Sequence, residues 1–451
     1  MDHDKRYEQR RPKWLLVAAA GLIALVTAAT ASGKSASSTT APTATSDTVT
    51  LKILDADTDP GPNSEQIELI KRFEAAHPNV KIKRTSIPFN NFLNTVKLTL
   101  SSSDAPDVSE GNQGPQIDGA LVKGGLIKPL TEYATKYGWN KLWTATTLAP
   151  NSFSKDGTEF GKGTLWGVSS RAEIVGVYYN KTKLKALGFS VPKTFADFEK
   201  ILAASSAKGQ PPFIIGNLDK YPGGHYLMTL ADHYAAPADL RNWVFGRKGA
   251  TFDTPAVREG AAKLQEWAKK GYFEKSFNSV KDSDAQARFS KGEGLFVISG
   301  PWVNGGFAAG QKNNVGFFLL PPDKLGDPVK ATGSVSLPIH ISSKTKQGAL
   351  AAQFLNFLTS AEAANVILAK GDLPARPLDN PKVDPKSSIA SIVAAWRTTS
   401  QSPNLVPYMD WPTPTMFDTL MGGTQQLMAS QKTPQQFTKM VQDDWAKYHK
   451  G

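Results

Sequence analysis

The sequence of 451 residues predicts an α/β fold in two lobes that are joined by more than one crossover. Short apolar runs, typical of buried strands, alternate with longer stretches whose apolar residues recur at helical intervals. The first elements follow the order strand–helix–strand–helix, which favours a largely parallel sheet. Strands then form a second group, and the latest of them return towards the first group.

The first group begins with a strand over residues 49–54 and a polar loop. Asn63 and Gln66 have the spacing of a capping box, which predicts that a helix starts at Asn63. One face of this helix carries Ile67, Ile70 and Phe73. A second strand over residues 80–82 and a helix from Asn91 complete the group.

The second group contains a strand over residues 176–180 and a helix that Thr194 caps. Tyr178 and Tyr179 are adjacent in this strand, so their rings should point to opposite faces of the sheet and serve packing. A further helix begins at Pro255, since proline favours the first turn of a helix.

A short apolar run over residues 294–298 predicts a buried strand in this second group. Gly300 and Pro301 end the strand, because proline cannot donate to a sheet ladder. Trp302 is thereby placed at a strand end, where open α/β sheets keep their ligand crevice. The segment alone leaves two interpretations open for Trp302: a contact for a flat ligand such as a sugar, or a core side chain.

The later part of the chain is predicted to return to strands and then to become helical. The predicted strands cover residues 315–320 and 335–341, and a helix follows over residues 347–358. The predicted C-terminal helices cover residues 389–396, 415–430 and 437–448, the last of them capped by Thr433 and Pro434.

The N-terminus has the pattern of a targeting segment. A basic region precedes the apolar residues 14–29, and small residues before Ser32 suit cleavage after Ala31. Residues 1–31 are therefore predicted to be a signal peptide, with a twin-arginine route and an uncleaved anchor as alternatives. Residues 32–47 are rich in Ser, Thr and Ala, which predicts a flexible tether.

The composition excludes several classes of function. The chain has no cysteine, so disulfides and thiolate catalysis are excluded. The formal net charge of +12 could suggest nucleic acid as a partner. The basic residues are dispersed along the chain, however, and the protein is predicted to be exported. Both observations argue against nucleic acid. We find no nucleophile elbow, dinucleotide fingerprint or metal-ligand spacing. The residues thus predict no cofactor and no metal site. They leave a glycosidase open, because pairs of acidic residues that could serve one are plentiful in the chain.

Eight short segments, in order along residues 48–451, resemble the extracellular solute-binding proteins of carbohydrate ABC importers, the group that includes maltose-binding protein. Four of them are easily recognised: Pro-Asn-Val within residues 77–82, Ala-Pro-Asp-Val at 105–108, the strand ending in Gly-Pro-Trp at 289–302, and Leu-Pro-Ala-Arg at 373–376. The other four cover residues 125–130, 177–181, 191–195 and 354–360.

The resemblance implies a two-lobed periplasmic-binding-protein fold, type II-like, that closes on a carbohydrate and passes it to ABC permease subunits. It also implies that the protein is not an enzyme and has no chemistry of its own. The N-terminal lobe would contain residues 48–168 and about 331–372, and the C-terminal lobe residues 169–330 and about 373–451. A monomer on the outer face of the membrane is expected. Family members usually carry a lipid on a cysteine, but Ser32 stands in that place, so the lipid anchor is in doubt.

The resemblance also implies ligand contacts. We expect them at Trp302, Glu173, Asn112, Gln113, Asp57, Asp59, Tyr221, Tyr226, Trp411, Arg376 and Trp166. Several alternatives stay open: the same fold binding a polyamine, peptide, phosphoester or metal, a secreted glycosidase, or an envelope protein without a small ligand. For the polar residues, the alternative to ligand contact is a solvated loop or a helix cap.

Overall fold

Four β-sheets, with helices packed around them, organise residues 48–450, which are the part of the chain that the computed structural model describes. The strands are β1 (Val49–Asp55), β2 (Val80–Ser86), β3 (Val108–Glu110), β4 (Ser152–Phe153), β5 (Thr164–Leu165), β6 (Ala172–Ile174), β7 (Gly176–Asn180), β8 (Phe296–Ser299), β9 (Val315–Phe318), β10 (Ala331–Val335), β11 (Ile339–Ile341) and β12 (Leu405–Val406). The mixed composition of sheet and helix confirms the predicted α/β class.

The helices fall between the strands and at the C-terminus. They are α1 (Pro60–Ala76), α2 (Phe89–Ser101), α3 (Ala120–Lys123), α4 (Thr131–Tyr137), α5 (Trp139–Leu142), α6 (Ala145–Leu148), α7 (Lys181–Ala186), α8 (Phe195–Ala207), α9 (Tyr221–Tyr234), α10 (Pro237–Val244), α11 (Pro255–Lys269), α12 (Asp282–Ser290), α13 (Asn304–Gln311), α14 (Gly348–Leu358), α15 (Ala361–Ala369), α16 (Ser388–Thr399), α17 (Met416–Met428) and α18 (Pro434–Tyr448). Short 3₁₀ turns, one of them Pro301–Val303, connect some of these elements.

The first sheet has the order β11-β3-β1-β2, with β1 parallel to both β2 and β3. Its register places Val49 opposite Val80 and Ile53 opposite Val108. The predicted parallel start of the fold is therefore confirmed. Because parallel strands end at the same edge of a sheet, the loops that follow β1 and β3 lie beside each other.

The second main sheet has the order β8-β7-β9 and is antiparallel throughout. The expectation of a largely parallel sheet therefore holds for the first strands and not for this group. Tyr178 and Tyr179 in β7 belong to two different hydrophobic clusters, as the alternation of strand side chains requires.

A small sheet joins three distant parts of the chain. In it β10 is antiparallel to β6 and parallel to β12. The predicted single strand over residues 335–341 is wrong, because β10 ends at Val335 and β11 begins at Ile339. The physical reason is that β11 pairs with β3 in the first sheet, so the chain changes sheets between the two strands.

The predicted start of the first helix is also wrong. Helix α1 begins at Pro60, three residues before Asn63, whose side chain instead accepts a hydrogen bond of 2.6 Å from Arg84. Ile67 is 57% exposed, although it was expected on the apolar face, whereas Glu65 is fully buried. The predicted caps by Thr194 and Thr433 are confirmed, and Thr433 forms a full capping box with Gln436.

The described residues, 48–450, lie within one compact unit. Within the described residues, no helix is both long and apolar enough to cross a membrane. The predicted signal peptide over residues 1–31 and the predicted tether over residues 32–47 lie outside the described residues.

Candidate ligand-binding site

A cavity of about 140 Å³ lies where the loops after β1 and β3 meet the segment that leads into β6. The beginning of α9, the 3₁₀ turn after β8 and the chain after β12 close its other sides. The cavity is thus built from the carboxyl edge of the parallel sheet and from the small sheet, whose strands β6 and β10 lead into β7 and β11 of the two main sheets. This is the position at which open α/β sheets hold ligands.

Eight of the eleven residues expected to contact a ligand line this cavity. They are Asp57, Asp59, Asn112, Gln113, Glu173, Tyr221, Trp302 and Trp411. They come from six separate segments of the chain, so the fold brings together side chains that lie far apart in sequence.

The structure places the other three expected residues elsewhere. Tyr226 is fully buried, and its hydroxyl accepts a hydrogen bond of 3.2 Å from the backbone of Ile298. The buried indole of Trp166 donates to the Phe153 carbonyl, and Arg376 donates to the Thr359 carbonyl on another face. These three side chains pack or support the fold around the cavity and do not line it.

Several lining residues were not anticipated from the sequence. The most consequential are Arg171, His225, Asp372, Tyr408, Asp410 and Phe417. Most lie within three positions of an expected residue or segment, as Arg171 does before Glu173 and Asp410 does before Trp411. Phe417 lies farther from any expected contact, so its position gave no such signal.

Aromatic rings form much of the cavity wall. The centroid of the Trp302 ring lies 5.3 Å from that of His225, and the Tyr408 and Trp411 rings are 5.4 Å apart. Tyr221 lies 5.7 Å from His225, and Phe89 packs edge-on against Tyr221 at 5.9 Å and also contacts the Phe417 ring. The cavity wall therefore contains a connected set of aromatic rings.

A buried ion-pair network forms the floor of the cavity. The guanidinium of Arg171 lies 2.7 Å from Asp57, 3.1 Å from Glu110 and 3.6 Å from Glu65. Desolvation holds the pKa of Glu65 and the pKa of Glu110 well above the ordinary value, although Arg171 opposes the shift. Behind this group, Arg84 pairs with Asp55 at 2.6 Å. The network ties the loops after β1 and β3 to the chain before β6.

Four further carboxyl groups face the cavity without a basic partner of their own. Burial raises the pKa of Glu173 to about 8, and the nearby Asp372 and Asp410 add to this shift. Burial likewise raises the pKa of Asp59 and the pKa of Asp410 to about 7. It raises the pKa of Asp372 to about 6.

The imidazole of His225 is neutral at ordinary pH, because burial lowers its pKa to about 3. Among the described residues that line the cavity, Arg171 is then the one side chain with a positive charge.

The loop after β3 is fixed from both sides. The Gln113 amide nitrogen donates to the Ser336 carbonyl at 2.8 Å and to the Val335 carbonyl at 3.2 Å. Gly114 has a φ of 88°, and a side chain there would overlap the backbone of Trp411. The nitrogen of Gln113 is thus engaged by the protein, which leaves its oxygen for a ligand.

Residues 60–365, about two thirds of the chain, match the family described as bacterial extracellular solute-binding protein. The chain belongs to this family. It is 25% identical over 310 residues to a multiple sugar-binding protein of Streptococcus mutans, across 66% of this chain and 68% of that protein. It is 24% identical over 295 residues to a probable sugar-binding periplasmic protein of Mesorhizobium japonicum, across 65% and 67% of the two chains.

Solved structures of solute-binding proteins share the fold. A chitin oligosaccharide binding protein superposes with a TM-score of 0.76 at 21% identity, covering 90% of this chain and 100% of that one. The RafE protein in complex with raffinose superposes with a TM-score of 0.68 at 19% identity, covering 89% and 100%. The predicted family and the two-lobed α/β fold are thereby confirmed, as is the role of an extracellular solute-binding protein.

Proposed function

We propose that this solute-binding protein binds a sugar or oligosaccharide outside the cell membrane and delivers it to the permease of an ABC importer. The observation that carries the proposal is the cavity itself, where the ring of Trp302 and the neighbouring rings of Tyr408 and Trp411 stand among carboxyl and amide groups. Relatives that are named for sugar binding support it.

The two kinds of side chain suit the two faces of a sugar. The C–H face of a pyranose is apolar and packs on an aromatic ring, as Trp302 and Trp411 would provide. Its hydroxyls donate to carboxylates and amide oxygens, such as those of Asp59, Glu173 and Asn112. A ligand without these hydroxyls would leave buried groups unpaired, which gives the site its specificity.

Closure of two lobes would couple binding to transport. The proposed lobes consist of residues 48–168 with about 331–372, and of residues 169–330 with about 373–451. Asn90 of the first donates to the Asp219 carbonyl of the second at 3.2 Å, and Phe89 contacts Tyr221. A ligand that touches both lobes favours the closed state by its differential affinity for that state.

The remaining parts of the proposal follow from the sequence. Residues 1–31 would direct export, and residues 32–47 would tether a monomer to or near the outer face of the membrane. With Ser32 in place of the usual cysteine, we propose that no thioether lipid is attached. The site is proposed to bind its ligand without chemical change.

A thermal-shift screen of the purified protein against mono- and oligosaccharides tests the proposal. A bound sugar should raise the melting temperature by mass action, and calorimetry of the hits should give a Kd in about the micromolar range or below. Stabilisation by a peptide, polyamine or phosphoester alone would overturn the sugar assignment. Release of reducing sugar from an oligosaccharide hit would overturn the proposal of binding without catalysis.

A further inference from the structure

The cavity has a strong excess of acidic side chains, although the chain as a whole is basic. Five carboxyl groups line it, against a single guanidinium: Asp57, Asp59, Glu173, Asp372 and Asp410 face Arg171. The formal net charge of the whole sequence is +12. The acidity of the cavity is therefore a local property of the site.

The one guanidinium is already engaged. Arg171 lies within 3.6 Å of three buried carboxylates, of which Asp57 lines the cavity while Glu65 and Glu110 lie beneath it. These three carboxyl groups thus share the one guanidinium. Its charge also lowers the pKa of Glu173 and that of Asp372, but no ion pair among the described residues engages Glu173, Asp372 or Asp410.

One of these carboxylates is also unsatisfied in its hydrogen bonding. Asp410 is only 7% exposed, and its Oδ1 has no hydrogen-bond partner. The neighbouring hydroxyl of Tyr408, equally buried, lies beside the Glu173 carboxyl group and can donate to it. Burial of an unpaired polar atom is costly. Asp410 lines the cavity, so a bound molecule can supply the partner that its Oδ1 lacks.

The arrangement around these groups suits a cation better than a neutral hydroxyl. An ammonium group donates up to three hydrogen bonds and favours the ionised form of Asp410 and Glu173, whose pKa values burial raises to about 7 and about 8. A hydroxyl donates one hydrogen bond and brings no charge. The faces of Trp302, Tyr408 and Trp411 add a negative π surface that attracts a cation.

From this geometry, we propose that the ligand is an amino-bearing saccharide, whose protonated amine is held by Asp410 and Glu173 beside the aromatic wall. The inference rests on the proposed function, because it specifies the class of sugar. It predicts that, among sugars of equal size, those with an amine bind more tightly than those with only hydroxyls.

Calorimetry with matched pairs of sugars tests this proposal. The probes are glucosamine against glucose, galactosamine against galactose, and β-1,4-linked oligomers of glucosamine against oligomers of glucose of equal length. At neutral pH, the amine member of at least one pair should bind at least about tenfold more tightly than its hydroxyl partner. Added salt should reduce this preference, since it screens charge.

Substitutions in the cavity test whether Asp410 and Glu173 cause the preference for the amine. Asp410→Asn and Glu173→Gln keep the shape of the side chains, and each should reduce the preference for the amine at least about threefold. Asp239→Asn is the matched control, because Asp239 is exposed on α10 and does not line the cavity. The melting temperature of each variant without ligand checks its folding, and either cavity variant suffices if the other unfolds.

The outcomes separate the inference from the proposed function. Equal or tighter binding of the hydroxyl partners would overturn the inference and leave a receptor for neutral sugars. An undiminished preference in both cavity variants would also overturn it. Binding of spermidine or putrescine with no saccharide bound would overturn the proposed function together with the inference.

Discussion

The indole ring of Trp302 lies against the Cα of Gly300, so closely that a Cβ on residue 300 would overlap the ring. The backbone of Gly300 is extended, with a φ of −99°, so the glycine is needed for space and not for an unusual conformation. The hydroxyl of Tyr178 donates to the Gly300 carbonyl at 2.9 Å and fixes this position. The orientation of Trp302 therefore depends on residue 300.

Trp302→Ala should weaken ligand binding at least about tenfold with little change in melting temperature, since the ring is half-buried and faces the cavity. Gly300→Ala should also weaken binding, because the added methyl displaces the ring. Calorimetry with the best ligand from the screen measures both effects.

Trp396→Ala is the control for these variants. Trp396 is also half-buried, but it lies on α16 away from the cavity, so this change should leave the Kd unaltered. If Trp302→Ala unfolds the protein instead of weakening binding by a folded variant, Trp302 belongs to the core.

Asp410→Asn should change how stability depends on pH. The native pKa of Asp410 is about 7 and the ordinary value is 3.8, so between these values the native state holds a proton that the unfolded chain has released. Raising the pH through this interval therefore removes stability, and the loss levels off above about pH 7. Asparagine does not titrate.

Urea unfolding without ligand at a series of pH values measures this difference. From about pH 5 to about pH 7, the wild-type protein should lose on the order of 2 kcal/mol of unfolding free energy relative to Asp410→Asn. Parallel pH profiles for the two proteins would show that Asp410 titrates with an ordinary pKa.

Arg171→Ala should destabilise the protein by about 3–5 kcal/mol, because it leaves Asp57, Glu65 and Glu110 as buried carboxylates without their shared cation. Equilibrium unfolding in urea measures the loss. Adding Glu65→Gln to the variant should restore part of it. Arg288→Ala is the control: its pairs with Glu274 and Glu293 are partly exposed, so removal should cost at most about 1 kcal/mol.

Gln113→Leu should lower the unfolding free energy by about 1–3 kcal/mol, because the Val335 carbonyl and the buried Asn151 side chain lose a donor. Ligand binding should weaken as well, since the loop after β3 loses its attachment to the chain after β10. Gln431→Leu, at an exposed position, should leave both quantities unchanged. A stable Gln113→Leu protein with weakened binding would assign Gln113 to ligand contact alone.

Local signals predicted much of the fold. The strand β7 and the cap of α8 follow from apolar runs and from Thr194, because both depend on residues near in sequence. The division between β10 and β11 could not be predicted in this way. Each strand pairs with a different sheet, and the residues that decide the break belong to β3 and β6, far along the chain.

The site was predicted in part for a related reason. Trp302 and Glu173 could be placed because each sits in a recognisable segment. The role of Arg171 could not be predicted, because the sequence does not distinguish an arginine in a buried ion-pair network from an arginine on the surface. Its function depends on Glu65 and Glu110, which only the tertiary structure brings within reach.

The acidic cavity inside a basic protein has a consequence for where the protein can work. A positively charged exterior is drawn to the anionic polymers that cover bacterial cells. The same polymers carry phosphate or carboxylate groups, and the carboxyl groups of the cavity repel them when they are ionised. On the proposed function, the protein would therefore work close to such a matrix without the matrix competing for its binding site.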